Sequence, residues 1–305
     1  MRPLTFNPLY ISFAMGTVLA LSSCSQKATQ RAPDFSAADM TVNNEISSIK
    51  TAIACLPEES ALIAAHRGVS ENWDLPENSA SGLQSLIDGN YLVAEVDVAS
   101  TKDRTLFLFH DGVWEETSTG QGPVSASMAA DLDKILLKSR KGTLASERPL
   151  TLDAALDLAK DKLYLEIDFK SSAPMSEVIT AINEKEMGDQ VILIAYTSEQ
   201  AAELQALAPN MVLSAPGQEE GRELNPENTL LWMGREIASV NNPTDTLGHI
   251  GMVGRASETV KPGPLRKGKL LVTDFPDEFP SILGMTDQKL EAYKSCLAAA
   301  KPGES

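Results

Sequence analysis

The sequence predicts an α/β barrel of parallel strands, and three observations carry that expectation. From residue 62 onward, short apolar runs alternate with stretches of helical periodicity, the pattern of parallel strands joined by crossover helices. The chain has 305 residues, enough to bury a substantial core as one large domain or two ordinary ones, and a single α/β barrel fits that length. Titratable residues gather where the apolar runs end, which in a parallel barrel is where the loops carry chemistry. His66, Glu95, Asp97, His110, Asp168 and Lys170 all fall at such ends.

Taken in order, strands are expected over residues 62–66, 92–98, 105–110, 163–169, 191–196, 211–213, 229–233, 249–253 and 270–273. These are nine candidates for about eight barrel positions. Helices are expected over 77–88, 127–137, 152–159, 176–184, 198–207 and 287–299. Thr151 and Asp153 suit the start of the third, and Ser198 with Glu199 the start of the fifth. No internal repeat emerges.

Ahead of the barrel, Arg2 precedes an apolar stretch over residues 8–21 that is too short and poorly flanked to span a membrane, so it reads as a secretory signal. Leu21-Ser22-Ser23-Cys24 resembles the bacterial lipoprotein signal, in which cleavage leaves Cys24 as a lipidated N-terminus. The expected organisation is a lipoprotein signal peptide over 1–23, a flexible Ser/Thr/Asn/Gln-rich tether over 24–51, and the barrel domain over 52–305. A lipid-anchored protein of the bacterial cell envelope, facing the periplasm, follows. With Cys24 acylated, Cys55 and Cys296 remain at the two ends of the folded part, either as a disulfide that staples neighbouring first and last strands or as two buried thiols. A net charge of -16 and the lack of any Lys/Arg-rich run argue against a nucleic-acid partner.

His66 and His110 are two of only three histidines, and each ends an apolar run. Imidazole both takes and gives a proton near neutral pH, so the pair are candidate acid and base. Between them, Glu95 and Asp97 are two residues apart on a strand and point to the same side. Two carboxylates on one buried face repel unless a cation or proton sits between them, and an all-oxygen site suits Ca²⁺ or Mg²⁺. Glu166, Asp168 and Lys170 repeat the pattern, offering a third carboxylate and a cation for an anionic substrate.

His66-Arg67-Gly68, then Pro76-Glu77-Asn78-Ser79, Glu95-Val96-Asp97 and His110-Asp111 resemble the successive motifs of the glycerophosphodiester phosphodiesterase family. Gly120-Gln121-Gly122, Thr151-Leu152-Asp153-Ala154-Ala155-Leu156, Asp168-Phe169-Lys170 and Val272-Thr273-Asp274-Phe275-Pro276-Asp277 continue the likeness over residues 62–285. The resemblance implies a TIM-type (β/α)8 barrel that cleaves glycerophosphodiesters, the deacylated phospholipids, to an alcohol and glycerol 3-phosphate with a divalent metal. By position, Glu95 and Asp97 would hold the ion, with Asp168 as third ligand and Glu166 as the fallback. His66 and His110 would be the acid and base on opposite sides of phosphorus, while Arg67, Lys170 and Asn78 would bind substrate.

Three departures from the family pattern stand out. The loop over residues 69–75 is long and carries Trp73, Glu116 stands where an arginine commonly precedes the Thr-Thr pair, and Gly251-Met252-Val253-Gly254 replaces the usual seventh strand motif. They bear on headgroup selection more than on catalysis. His249 reads as structural or loop-exposed, and Trp114 and Trp232 as core or rim aromatics, with Trp232 able to line the pocket. Two other readings remain: a barrel phospholipase or lyase on intact lipids, resembling the phosphatidylinositol-specific or sphingomyelinase D enzymes, and a non-catalytic binding lipoprotein. The Pro76–Asn78 stretch disfavours the first, and the intact histidines and carboxylates disfavour the second.

Overall fold

The computed structural model describes residues 41–42, 45–216, 223–232, 248–256 and 268–300. The expected signal peptide, Cys24 and most of the tether lie outside them. In chain order the principal elements are α1 (Ile49–Cys55), β1 (Ala61–Ala65), α2 (Ala80–Asp88), β2 (Val93–Ser100), β3 (Leu106–Leu108) and α3 (Leu152–Ala159). There follow β4 (Tyr164–Phe169), α4 (Met175–Glu184), β5 (Val191–Ile194), α5 (Ser198–Leu207), β6 (Val212–Ala215) and β7 (Thr229–Trp232). Last come β8 (Gly248–Val253), β9 (Gly268–Thr273), β10 (Ile282–Leu283) and α6 (Asp287–Ala299).

Eight parallel strands form a closed ring in the order β1-β2-β4-β5-β6-β7-β8-β9, with β9 returning to β1. At the closure Thr273 pairs with Ala65 on one side and Ala65 with Ala94 on the other. Every residue of β1, β2, β4, β5, β6 and β9 is buried, as strands sheathed by helices must be. Among the described residues no helix is long and apolar enough to cross a membrane.

The ninth expected strand, residues 105–110, is the one that stays outside the ring. It shortens to β3 and pairs antiparallel with β2, Val98 opposite Leu108. Only a tight turn separates the two, closed by Thr101 N–H on the Thr105 carbonyl at 3.0 Å with Arg104 at φ 72°. A turn that short permits a hairpin, whereas a parallel return needs a crossover of a dozen residues or more.

Other boundaries also move. The expected helix over 127–137 contracts to Ala129–Leu132, because Ile135 and Leu137 enter the core around Trp114 and the chain there bridges Ser118 and Leu144. Helix α2 starts at Ala80, capped by Ser79, whose hydroxyl accepts Gly82 N–H at 3.0 Å. Glu77 and Asn78 thereby leave the helix and face the site. The cap of α5 is Thr197 rather than Ser198, with Gln200 N–H donating to its hydroxyl at 3.1 Å. The folded domain begins before residue 52: Ile46, Ile49, Ala52 and Ile53 are buried, and Tyr293 of α6 donates to the Ala52 carbonyl at 3.1 Å. Apolar residues too sparse to register as a pattern are buried here because α1 packs on α6. Cys55 and Cys296 join these two helices in a disulfide with Cα atoms 5.6 Å apart.

Candidate active site

The parallel pairing of β2 with β4 sets Glu95 opposite Glu166 and Asp97 opposite Asp168, so two strands of period two deliver four carboxylates into the barrel in two layers. Glu95, Asp97 and Asp168 bring ligand oxygens within 4.8 Å of one another, all buried. Glu166 stands outside that group. Burial first, then the Asp168 charge, raises it to about 8, so it holds its proton at neutral pH.

Burial and then Asp97 push Glu95 well above the usual carboxylate range. Burial is the largest influence on Asp97 and opposes its ionisation, but the charge and hydrogen bond of Lys170, with His110 and the Asn78 hydrogen bond, together outweigh it and hold Asp97 below its ordinary value. Lys170 Nζ lies 2.6 Å from both Asp97 Oδ1 and Asp168 Oδ2, where the two carboxylates outweigh burial and keep the ammonium charged. Asn78, at φ 53°, donates through Nδ2 to Asp97 Oδ2 at 2.7 Å and accepts Asp97 N–H at 3.0 Å. Expected as a substrate contact, Asn78 has both ends of its amide engaged in orienting Asp97.

The residues after β1 turn sharply: Arg67 and Gly68 are both left-handed, at φ 55° and 65°. A Cβ on residue 68 would also come within 2.9 Å of Leu83 Cδ2, so both the backbone angle and the space favour glycine there. The turn aims Arg67 N–H at Glu95 Oε2, 2.7 Å away, and its guanidinium at Glu77, 2.9 and 3.1 Å away.

Each histidine is held by a carboxylate through Nδ1. His66 meets Asp274 Oδ1 at 2.7 Å and His110 meets Asp111 Oδ1 at 2.8 Å. Arg67 Nη2 lies 2.8 Å from His110 Nε2. A guanidinium only donates, so this Nε2 accepts and the proton sits on Nδ1. His66 Nε2 faces the carboxylates, 3.9 Å from Glu95 Oε2. Burial opposes the charge on Asp274, but the hydrogen bond and charge of His66, then Arg140, outweigh it and lower it to about 2. Both imidazoles are thus anchored through Nδ1; Nε2 of His66 faces the carboxylates, and Nε2 of His110 is covered by Arg67.

Arg140 ties these parts together. It reaches in from a hairpin tip where Lys138 bridges Leu144, and contacts Glu77 at 2.6 Å, Asp274 at 3.0 Å and Glu71. Through Glu77 it braces Arg67, and through Asp274 it braces His66. Next to them opens a cavity of about 420 Å³ whose lining, including Glu116, Thr117 and Ser139, contains no apolar side chain. A second cavity of about 270 Å³, around Ile53, Val212 and Leu230, contains none of these residues.

Residues 66–207 match the model of the glycerophosphoryl diester phosphodiesterase family. This segment, just under half of the chain, is what resembles the family. A glycerophosphodiester phosphodiesterase of Caldanaerobacter subterraneus subsp. tengcongensis is 29% identical over 157 residues, 49% of this chain and 64% of the relative. Two further curated relatives are matched over 37% and 44% of their own lengths, so the chain spans less than two thirds of each of these proteins. The fold is shared with a crystal structure of a glycerophosphoryl diester phosphodiesterase from Parabacteroides distasonis, at TM-score 0.65 and 20% identity, covering 86% of this chain and 95% of the other. It is also shared with an Oleispira antarctica phosphodiesterase solved with its product sn-glycerol-3-phosphate, at TM-score 0.54 and 17% identity, over 80% and 99% of the two chains.

The long loop over residues 69–75 is stapled down rather than loose. Asn72 donates to Asp277 at 3.0 Å, and Asp74 accepts from Ser139 at 2.6 Å and Thr143 at 2.9 Å. Its Trp73 packs edge-on against Tyr91, with ring centroids 6.2 Å apart. Trp114 is fully buried beside Phe107 and Phe109, whereas Trp232 is 41% exposed beyond Gly251 and does not line the polar cavity. The His249 side chain lies outside the described residues. Glu77, Asp111 and Asp274 were readable as neighbours of named motif residues; Arg140 carries no sequence signal, since its distance from the other site residues along the chain is erased only by folding.

Proposed function

We propose that the chain hydrolyses water-soluble glycerophosphodiesters, such as glycerophosphocholine or glycerophosphoethanolamine, to an alcohol and sn-glycerol 3-phosphate. The observation that carries the reading is the pair of carboxylate-anchored histidines, His66 and His110, set beside the buried cluster of Glu95, Asp97 and Asp168. The donor set suits a hard divalent cation: all ligands are oxygens, Glu95 is pushed toward its neutral form by burial and then by the Asp97 charge, and buried Asp168 Oδ1 accepts no hydrogen bond. Glu95, Asp97 and Asp168 would hold Ca²⁺ or Mg²⁺, which when bound supplies positive charge against the phosphate oxygens.

The chain's own residues do the rest. Arg67 and Lys170 offset the diester's negative charge before a nucleophile approaches. One histidine takes a proton at Nε2 from the attacking oxygen, either water or the substrate's neighbouring hydroxyl, and the other protonates the leaving alkoxide. Asp111 and Asp274 hold the rings in the orientation this needs. A cavity lined by charged and polar residues favours a deacylated substrate over an intact lipid, whose acyl chains would need apolar walls.

Incubation with a panel of glycerophosphodiesters and either cation is expected to release glycerol 3-phosphate, and EDTA to stop it. No release from any of them, with either ion, would overturn the reading. The segment Leu21–Cys24 supports, in addition, a lipid anchor in the bacterial envelope with the barrel facing the periplasm. Cells fed labelled palmitate should label the protein and lose that label in Cys24→Ser; equal labelling of both would sink the anchor.

A further inference from the structure

The Asp168 carboxylate is held unevenly. Its Oδ2 accepts from Lys170 Nζ at 2.6 Å and from the Tyr196 hydroxyl at 3.0 Å, whereas Oδ1 is buried and accepts nothing. Tyr196 follows the end of β5, and most of its surface is exposed. Burial of the ring therefore contributes little to holding it, and the inward hydroxyl is the contact that fixes it. The backbone N–H of Tyr196 also donates to Gln200 Oε1 at 2.8 Å, which ties the turn into α5.

We infer that Tyr196 is a positioning residue for the cation: with Lys170 it occupies Asp168 Oδ2, so that Asp168 serves as a single-oxygen ligand through Oδ1. Lys170 cannot do this alone, because its ammonium is shared with Asp97 Oδ1 at 2.6 Å and is a point charge with little directional preference. A phenol is held by its ring and donates along one direction. Removing the hydroxyl frees the carboxylate to rotate about its terminal torsion or to offer both oxygens, and outer partners of this kind typically change metal affinity 10- to 100-fold. The inference rests on the three-carboxylate site proposed above.

Calorimetric titration of the full-length chain with CaCl2 and with MgCl2, after EDTA treatment, tests it without any assay of turnover. Tyr196→Phe keeps the ring and is expected to raise the Kd of the bound cation about tenfold, with an unchanged unfolding midpoint in EDTA; Asp168→Asn should abolish measurable binding. A Tyr196→Phe Kd within twofold of the parent overturns the assignment. A lower unfolding midpoint at unchanged Kd does so too, since it would make Tyr196 a packing residue. If the parent chain binds neither cation, the site itself fails and the assignment falls with it, an outcome separable from the others by the parent titration alone.

Discussion

Alanine in place of His110 or His66 is expected to lower kcat/KM for glycerophosphodiester hydrolysis by about 10² to 10⁴, the range that positioned acid or base groups contribute. The physical reason is the division of labour within each ring. Nδ1 is held by Asp111 or Asp274, so Nε2 is the nitrogen left to meet the reacting oxygens, in His110 by exchanging its contact with Arg67. Alanine removes the proton carrier and leaves the carboxylates, Arg67 and Lys170 in place. Neither imidazole is deeply buried, with side chains 32% and 18% exposed, so little packing is lost and the unfolding midpoint should hardly move. Initial rates of glycerol 3-phosphate release, read beside a thermal melt, check this. Activity retained in both variants would mean that the histidines are not the proton-transfer pair; retained substrate binding with no turnover in the parent would favour a binding protein.

The second large effect is on stability. Cys55 and Cys296 close a loop with a sequence separation of 241 residues. In the chain-entropy account such a long loop places the cost of removing the bridge at the top of the usual range, about 5.5 kcal/mol. For a domain of this size that corresponds to a midpoint lowered by roughly 10 °C. Turnover at 25 °C should be preserved, because Cys55 lies before β1 begins while the site gathers where the strands end. The double variant Cys55→Ser/Cys296→Ser, melted beside the parent without reductant, provides the measurement. A midpoint shift below about 2 °C would show that the packing of α1 on α6 suffices without the bridge.

Those two expectations drew unequally on what the chain reveals in one dimension. Glu95 and Asp97 could be put on one face because strand period is a local property, and the same holds for Asp168 and Lys170. The surplus strand at residues 105–110 was resolvable on the same ground, since the connection from β2 is too short for a parallel return. Helix starts were read less well: Ser79 rather than Glu77 opens α2, and Thr197 rather than Ser198 caps α5, because a cap depends on which backbone N–H its side chain meets.

The sequence by itself determined the alternation of strands and helices, the motifs that resemble the family's, and the candidate residues for proton transfer and charge. Tertiary structure decided which of them meet. The register of β2 against β4 put Asp168 beside Asp97, and gathered Glu95 with them while Glu166 stayed apart. Closure of the barrel brought Asp274 of the last strand's end to His66 after the first, 208 residues away. Folding of the insertion carried Arg140 onto Glu77 and Asp274, and the turn after β5 swung Tyr196 onto Asp168. Periodicity and capping are set by neighbours along the chain and can be read there. Contacts between distant segments depend on register and closure, which are fixed by burial of the whole core.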